Sequence, residues 1–239
     1  MKLDVAFMPP ELAGVDLGGR VAVVLDVLRA TSTVVEALAN GARSVSPVAG
    51  IDEAVRVAQG IGRDRALLCG ERRSLPIEGF DLGNSPREFT RERVEGKLVV
   101  LTTTNGTGAV LASAGARRVV IGSFLNLTAV ADALARDGGP VAVVCAGRER
   151  RFALEDALGA GLLIARLAER AGVALELNDA GLAAAELARR YGGDLAAALA
   201  RTAAGRQLDE AGLGEDVGFC ATVDRHAVVP ELHDRQITL

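Results

Sequence analysis

The sequence predicts an α/β protein, a layered α/β/α arrangement in which helices flank a largely parallel or mixed sheet. Two observations predict it. Short Val-rich aliphatic runs alternate with stretches of helical spacing over the first two thirds of the chain. Those runs are continuous rather than alternating, as strands buried on both faces are, and strand–helix alternation favours a parallel sheet between helices. Composition agrees: 49% of the 239 residues are hydrophobic but only 3% aromatic, with no Trp, so the core must be aliphatic. One domain spanning residues 1–239, or two closely packed lobes, fits that length.

Taken in order, residues 21–27 read as a buried strand and 33–39 as a helix, with Thr33 and Glu36 at capping-box spacing. Residues 44–48 read as a strand, 52–59 as a helix and 66–69 as a third strand. Further strands are expected at 97–101, 118–121 and 141–145, followed by helices near 108–113, 127–136 and 153–170. Between them, 71–90 is a long stretch of Gly, Pro and charge without periodicity, the kind of loop that is functional or mobile. It ends in a helix-start signal: Ser85 as cap, Pro86 at the first position, Glu88 three residues on. The last third is rich in Ala, Leu, Arg and Glu and reads as two or three helices, broken near Asn178 and at Tyr191-Gly192-Gly193-Asp194. Residues 227–232 read as a short edge strand, because Pro230 suits an edge better than a centre.

Several function classes drop out. A net charge of −4 argues against a general nucleic-acid or membrane-surface binder. No run approaches the ~20 apolar residues of a membrane helix, and Asp4 interrupts any signal-like start. The three cysteines are scattered, without CxxC or Cys/His clusters, so neither a zinc site nor a disulfide framework is expected and a cytoplasmic setting follows. Two His in the tail exclude a Ser-His-Asp triad. Neither GxxxxGK[ST] nor GxGxxG follows a strand. Asp26 resembles an aspartate nucleophile, but the second Asp expected two residues later is Leu28. Cys145 and Arg151 share the C-x5-R spacing of cysteine-dependent phosphatases, a pattern that chance also produces.

Ligands of open α/β sheets bind beyond the carboxyl ends of strands, and five strand ends here carry polar residues. They are Asp26 to Thr33, Gly70 to Arg73, Thr102 to Thr107, Gly122 to Asn126 and Cys145 to Phe152. Each has an ordinary alternative. Thr31, Ser32 and Thr33 cap helices well, Thr102 to Thr107 is either an anion cradle or a plain turn, and Arg148, Arg150 and Arg151 suit a solvated face. Asp26 is different, because a carboxylate inside a buried strand needs a cation or a metal. Carboxylates at Asp26, Glu71, Asp81, Glu149, Glu155 and Asp156 suit Mg²⁺, and arginines suit phosphate, carboxylate or sulfonate. Spacing and composition thus lead to a small anionic metabolite, phosphorylated or not, as partner.

At these same residues the chain resembles the 2-phosphosulfolactate phosphatase family, the ComB-type enzymes. The stretches that carry the resemblance are LDVLRATSTVVEALANGA (25–42), GERRSLPIEGFDLGNSPREFT (70–90) and LVVLTTTNGTGAVLA (98–112). VVIGSFLNLTAVA (119–131), VCAGRERRFALEDALGAG (144–161) and DVGFCATVDRHAVVPEL (216–232) add to it. The resemblance implies a Mg²⁺-dependent phosphatase that converts 2-phosphosulfolactate to sulfolactate and phosphate, a step of coenzyme M biosynthesis. The family pattern has a Gly near Arg150 and often a Ser at Ala153; this chain departs at both.

On this reading Asp26, with Glu71 or Asp81, holds the metal, Asp26 serving instead as nucleophile or base in the alternative. Arg29, Arg148 and Glu149 join Asp26 as catalytic candidates. Thr103, Thr104, Asn105, Gly106, Thr107 and Ser123 cradle phosphate, while Thr31, Ser32, Asn84 and Arg151 contact substrate. Three rivals remain: a phosphatase for another small phosphorylated acid, a non-catalytic binder of a phosphorylated metabolite, and an enzyme using Cys145 as nucleophile. The aliphatic helices of the last third leave room for a homo-oligomer.

Overall fold

A computed structural model describes residues 1–172 and 174–239. Eleven strands form one sheet among these residues. Five belong to one parallel block: β1 (Lys2–Ala6), β2 (Val21–Leu25), β7 (Arg118–Gly122), β8 (Val141–Cys145) and the short β9 (Glu176–Leu177), in the order β7-β2-β8-β1-β9. A second parallel block is β4 (Ala66–Arg72), β6 (Leu98–Thr102) and β3 (Ser44–Pro47), with the two-residue β5 (Leu75–Pro76) folded back on β4. The hairpin β10 (Glu231–His233) and β11 (Gln236–Thr238) joins them, β10 beside β7 and β11 beside β3.

The hairpin corrects the expectation of an edge strand at 227–232. Pro230 precedes β10, and its carbonyl accepts from Ile121 N at 2.9 Å, so the proline takes part without needing an N–H. The strand after it lies mid-sheet, with Ile237 fully buried opposite Val45. β1 was not expected at all. Its Leu3 and Val5 are buried, but Lys2 and Asp4 alternate with them and mask a strand that borders β8.

Three antiparallel contacts in succession (β7/β10, β10/β11, β11/β3) reverse the sense of the second block relative to the first. In a flat sheet the carboxyl ends of β2 and β4 would then lie at opposite edges. Six strand steps separate them; at roughly 20–25° of twist per step, about 120–150° accumulates and swings those ends back toward each other.

Ten α-helices among the described residues cover the sheet: α1 (Ala30–Ala39), α2 (Ile51–Ile61), α3 (Arg91–Val94), α4 (Gly106–Ala112), α5 (Leu127–Asp137), α6 (Leu154–Ala171), α7 (Asp179–Tyr191), α8 (Leu195–Ala200), α9 (Ala203–Glu210) and α10 (Glu215–Cys220). The breaks expected near Asn178 and after Tyr191 are present. The Asn178 side chain caps α7 through Gly181 N, and Asp194 caps α8 through Ala197 N. Two other capping signals mislead. α1 begins at Ala30, not 33, and the Thr33 hydroxyl donates to the Asn84 carbonyl while Glu36 binds His226 and Asn40. Pro86–Glu88 is only a 3₁₀ turn: Ser85 donates to Asp216, and Glu88 accepts from Gly83 N. In both places a distant partner outbids the local cap.

β2 and β8 are buried along their whole length, each Val or Leu there contributing about 1.5–3 kcal/mol on burial. They form the floor from which the turns of the site rise.

Candidate active site

The carboxyl ends of β2, β4, β6 and β8 meet at one cleft of about 70 Å³. Asp26 leaves β2 in a turn that α1 closes: the Thr31 hydroxyl donates to the Asp26 carbonyl at 2.9 Å and accepts from its N–H at 3.0 Å. Asp26 Oδ1 accepts from Ala30 N at 3.3 Å. Gly106 opens α4 against this carboxylate, and a Cβ at 106 would stand 2.5 Å from Asp26 Oδ2 and from Ala30. Only glycine permits that approach.

Glu71 comes from β4. Its Oε1 accepts from Thr104 N at 2.7 Å and its Oε2 from Ser74 N at 2.9 Å, so it ties the loop after β6 to the turn after β4. Asp156, in the first turn of α6, likewise ties two loops: Oδ1 accepts from Val27 N at 2.9 Å and Oδ2 from Gly147 N at 3.0 Å. Glu155 lines the cleft beside it.

Burial and mutual repulsion set the charge of this group. The Asp26 carboxyl is pushed up to about 7, first by burial and then by the charge of Glu71. Burial also raises Asp156, with Asp26 and Glu155 adding to it, and raises Glu155. The cleft floor is therefore short of positive charge. Arg29 does not fill the deficit, because its guanidinium is committed elsewhere: Nη1 donates to the fully buried Asp216 at 2.8 Å and Nη2 to the Ser74 carbonyl at 2.9 Å. Arg148 hydrogen-bonds Gln207 of α9 from the opposite wall.

The turn 148–151 closes on itself through reciprocal Arg148 and Arg151 backbone bonds of 2.9 Å. Glu149 and Arg150 both take positive φ there, 51° and 61°, a region that favours glycine. The Asn105 side chain accepts from Glu149 N at 3.0 Å and so braces this turn over the cleft.

The chain's match to known proteins fits this geometry. The model of the 2-phosphosulpholactate phosphatase family matches residues 7–235. The chain belongs to the 2-phosphosulfolactate phosphatase family. Among its relatives, a protein of Symbiobacterium thermophilum named "Probable 2-phosphosulfolactate phosphatase" is 45% identical over 226 residues, covering 94% of this chain and 96% of the relative. Proteins of the same name from Caldanaerobacter subterraneus and Thermotoga maritima are 41% and 40% identical over 217 and 213 residues, covering 91% and 89% of this chain and 89% of each relative. The family is one of phosphoric monoester hydrolases, and all the cleft residues named above fall inside the matched span. No helix among the described residues is long and apolar enough to cross a membrane.

Of the expected site residues of this phosphatase-family chain, Asp26, Arg29, Glu71, Asn84, Thr104, Asn105, Arg148 and Glu149 line the cleft. Gly106 packs against Asp26 beneath it. The others do not reach it. Asp81 is not part of the cleft lining; one oxygen binds Arg63 at 2.8 Å and the other Leu68 N at 2.7 Å. Ser123 caps the 3₁₀ turn Phe124–Asn126 instead of cradling phosphate. Thr103 and Thr107 bond each other across the start of α4. Thr31 braces Asp26, and Ser32 donates to the Val27 carbonyl. Arg151 is exposed, bonded through its backbone to Arg148. Cys145 ends β8 in the apolar core, and burial together with Asp156 holds its thiol well above the usual range. A thiolate nucleophile requires the opposite shift and an accessible sulfur, which this buried thiol does not offer.

Asp216, Ser74 and Gln207 were missed. Each acts through a partner distant in sequence, Asp216 through Arg29 across 187 positions. The tail stretch 216–232 carries family resemblance, but no local pattern marks its first residue as the partner of Arg29.

Among the described residues no three His, Cys, Asp or Glu stand close enough to cage a metal. Mg²⁺ does not need a cage. It keeps several waters and takes one or two carboxylates plus substrate phosphate. The oxygen-only donors Asp26 and Glu71, on a floor short of positive charge, fit that mode.

Proposed function

We propose that this chain hydrolyses the phosphate ester of 2-phosphosulfolactate to sulfolactate and inorganic phosphate, with Mg²⁺ held by Asp26 and Glu71. The observation that carries this reading is the gathering of Asp26, Glu71, Glu155 and Asp156 with Arg29 and Arg148 around one cleft in a chain matched to that family over residues 7–235. A substrate bearing phosphate, carboxylate and sulfonate would be repelled by that acidic floor on its own. Bound Mg²⁺ supplies the neutralising charge on the phosphoryl oxygens.

The protein's own groups do the rest. Thr31 and Ala30 fix the Asp26 carboxyl, and Gly106 lets the start of α4 close over it. Asp156 ties the loops after β2 and β8 together. Arg148, oriented by Gln207, meets the substrate carboxylate. Asp26 works either as metal ligand or as base toward the attacking water, and both roles require its carboxylate. We assign the reaction to a coenzyme M biosynthesis-type step on the family resemblance.

The test is phosphate release from 2-phosphosulfolactate by the purified protein, with Mg²⁺ and with EDTA. Release that needs the divalent cation supports the reading. Release that survives EDTA removes Mg²⁺ from it. No release from this ester, but release from another in a panel of small phosphorylated acids, moves the substrate; binding without release from any of them makes the chain a binder.

A further inference from the structure

Arg29 is a partition between two cavities. On one side lies the acidic cleft; on the other is a cavity of about 250 Å³ that shares Arg29, Ser74 and Asn84 with it and is closed by Ser85, Arg87 and Leu213. The two differ in charge. The second cavity has Arg29 and Arg87 on its wall against one carboxylate, Glu88, which already accepts from Gly83 N. Asp216 and Glu215 pair with these arginines.

One group at the boundary lacks a partner. Asn84 is 96% buried, 4% of its surface being exposed, and its Oδ1 has no hydrogen bond. Its backbone carbonyl is fixed by the Thr33 hydroxyl at 2.9 Å, so the residue is held in place while its amide is left free. A buried polar atom without a partner is destabilising, and a ligand that completes it explains its presence. A half-turn of the amide presents its NH₂ donors at the same position, as an anion would require.

We propose that this second cavity receives the sulfonate of the substrate, and that Asn84, with Arg87, is the residue that selects it. The inference rests on the substrate proposed above. In that molecule the carboxylate sits on the carbon next to the phosphate-bearing one's ester oxygen, whereas the sulfonate is carried one carbon further out. The sulfonate is therefore the group that reaches past Arg29 while phosphate and carboxylate stay in the cleft.

Binding calorimetry in Mg²⁺ buffer tests this without turnover, using sulfolactate and lactate, the same skeleton without the sulfonate. The wild-type protein is expected to bind sulfolactate at least ~10-fold more tightly, the worth of a charge-assisted hydrogen bond. In Asn84→Ala and in Arg87→Gln the ratio falls toward one. Asn84→Ala removes no protein hydrogen bond, so its Tm stays close to wild type; if it fails to fold, the exposed Arg87→Gln decides. An unchanged ratio in the folded variants, or no preference for sulfolactate in the wild type, overturns the proposal. Sulfonate preference without phosphate release overturns the assigned reaction and keeps the cavity; phosphate release with an unchanged ratio does the reverse.

Discussion

The block of strands around β2 and the block around β6 lend different things to the cleft. The β2 block brings Asp26 and, beyond β8, Arg148 and the first turn of α6 with Glu155 and Asp156. Its carboxylates are buried and raised, and backbone N–H groups of its own loops hold them in place. The β6 block brings Glu71, Thr104 and Asn105: Glu71 ties the turn after β4 to the loop after β6 within that block, and Asn105 reaches across to the turn after β8. One block stores charge, and the other sends a side chain across to brace the turn after β8. The difference teaches that a site assembled across a joint needs bonds spanning it, because nothing within either block sets their separation.

The sharpest way to break this contrast is at the stored charge. Asp26→Asn keeps an acceptor for Ala30 N but removes the carboxylate, so turnover should fall by on the order of 10²–10⁴-fold while Tm rises. The sign follows from protonation. With its pKa raised to about 7 from 3.8, the folded state holds the proton after the unfolded chain has lost it, so this group's contribution falls as pH climbs through that window and stays low above it. The Tm gap between Asp26→Asn and wild type should therefore widen from pH 5 to pH 8; a gap independent of pH would show that the charge is compensated.

At the joint the expected loss is in stability. Ile237 is fully buried between the blocks, and Ile237→Ala should cost about 2–5 kcal/mol in urea unfolding. A loss under 1 kcal/mol would mean that the blocks hold together without the hairpin.

A smaller effect is expected at the fastening bond. Glu71→Gln leaves one oxygen able to accept from either Thr104 N or Ser74 N, but not both bonds as carboxylate bonds. Its kcat should drop by about 10-fold or more, with Tm changed by only a few degrees; wild-type kinetics would confine Glu71 to structure. Least of all should change at Cys145. Cys145→Ser should retain turnover, and all three thiols, buried with raised pKa values, should resist alkylation until the protein is unfolded. Rapid loss of activity on alkylating the native protein would contradict that.

The parts legible in the sequence are those decided by neighbours. Residues 21–25 and 141–145 are unbroken aliphatic runs because both faces are covered, and that shows locally. Asp26 stood out because it breaks such a run. Long-range pairing is what stayed hidden. Thr33 and Ser85 spell caps, but Asn84 and Asp216 claim their hydroxyls. Asp81 matches Glu71 as a residue type yet lies beside Arg63. The tail strand was readable as a strand, but its mid-sheet place depends on edges offered by Arg118–Gly122 and Ser44–Pro47, which no window around Pro230 contains.

That placement bears on how the chain is made. Every other strand of the sheet leaves the ribosome before residues 231–238. Until the hairpin emerges, β7 and β3 each present an unpaired edge, the surface on which strands of neighbouring chains add. Their joining is then a late, long-range closure, the slow kind of contact. Nascent chains stalled before residue 231 should be far more prone to aggregate than the released chain of 239 residues.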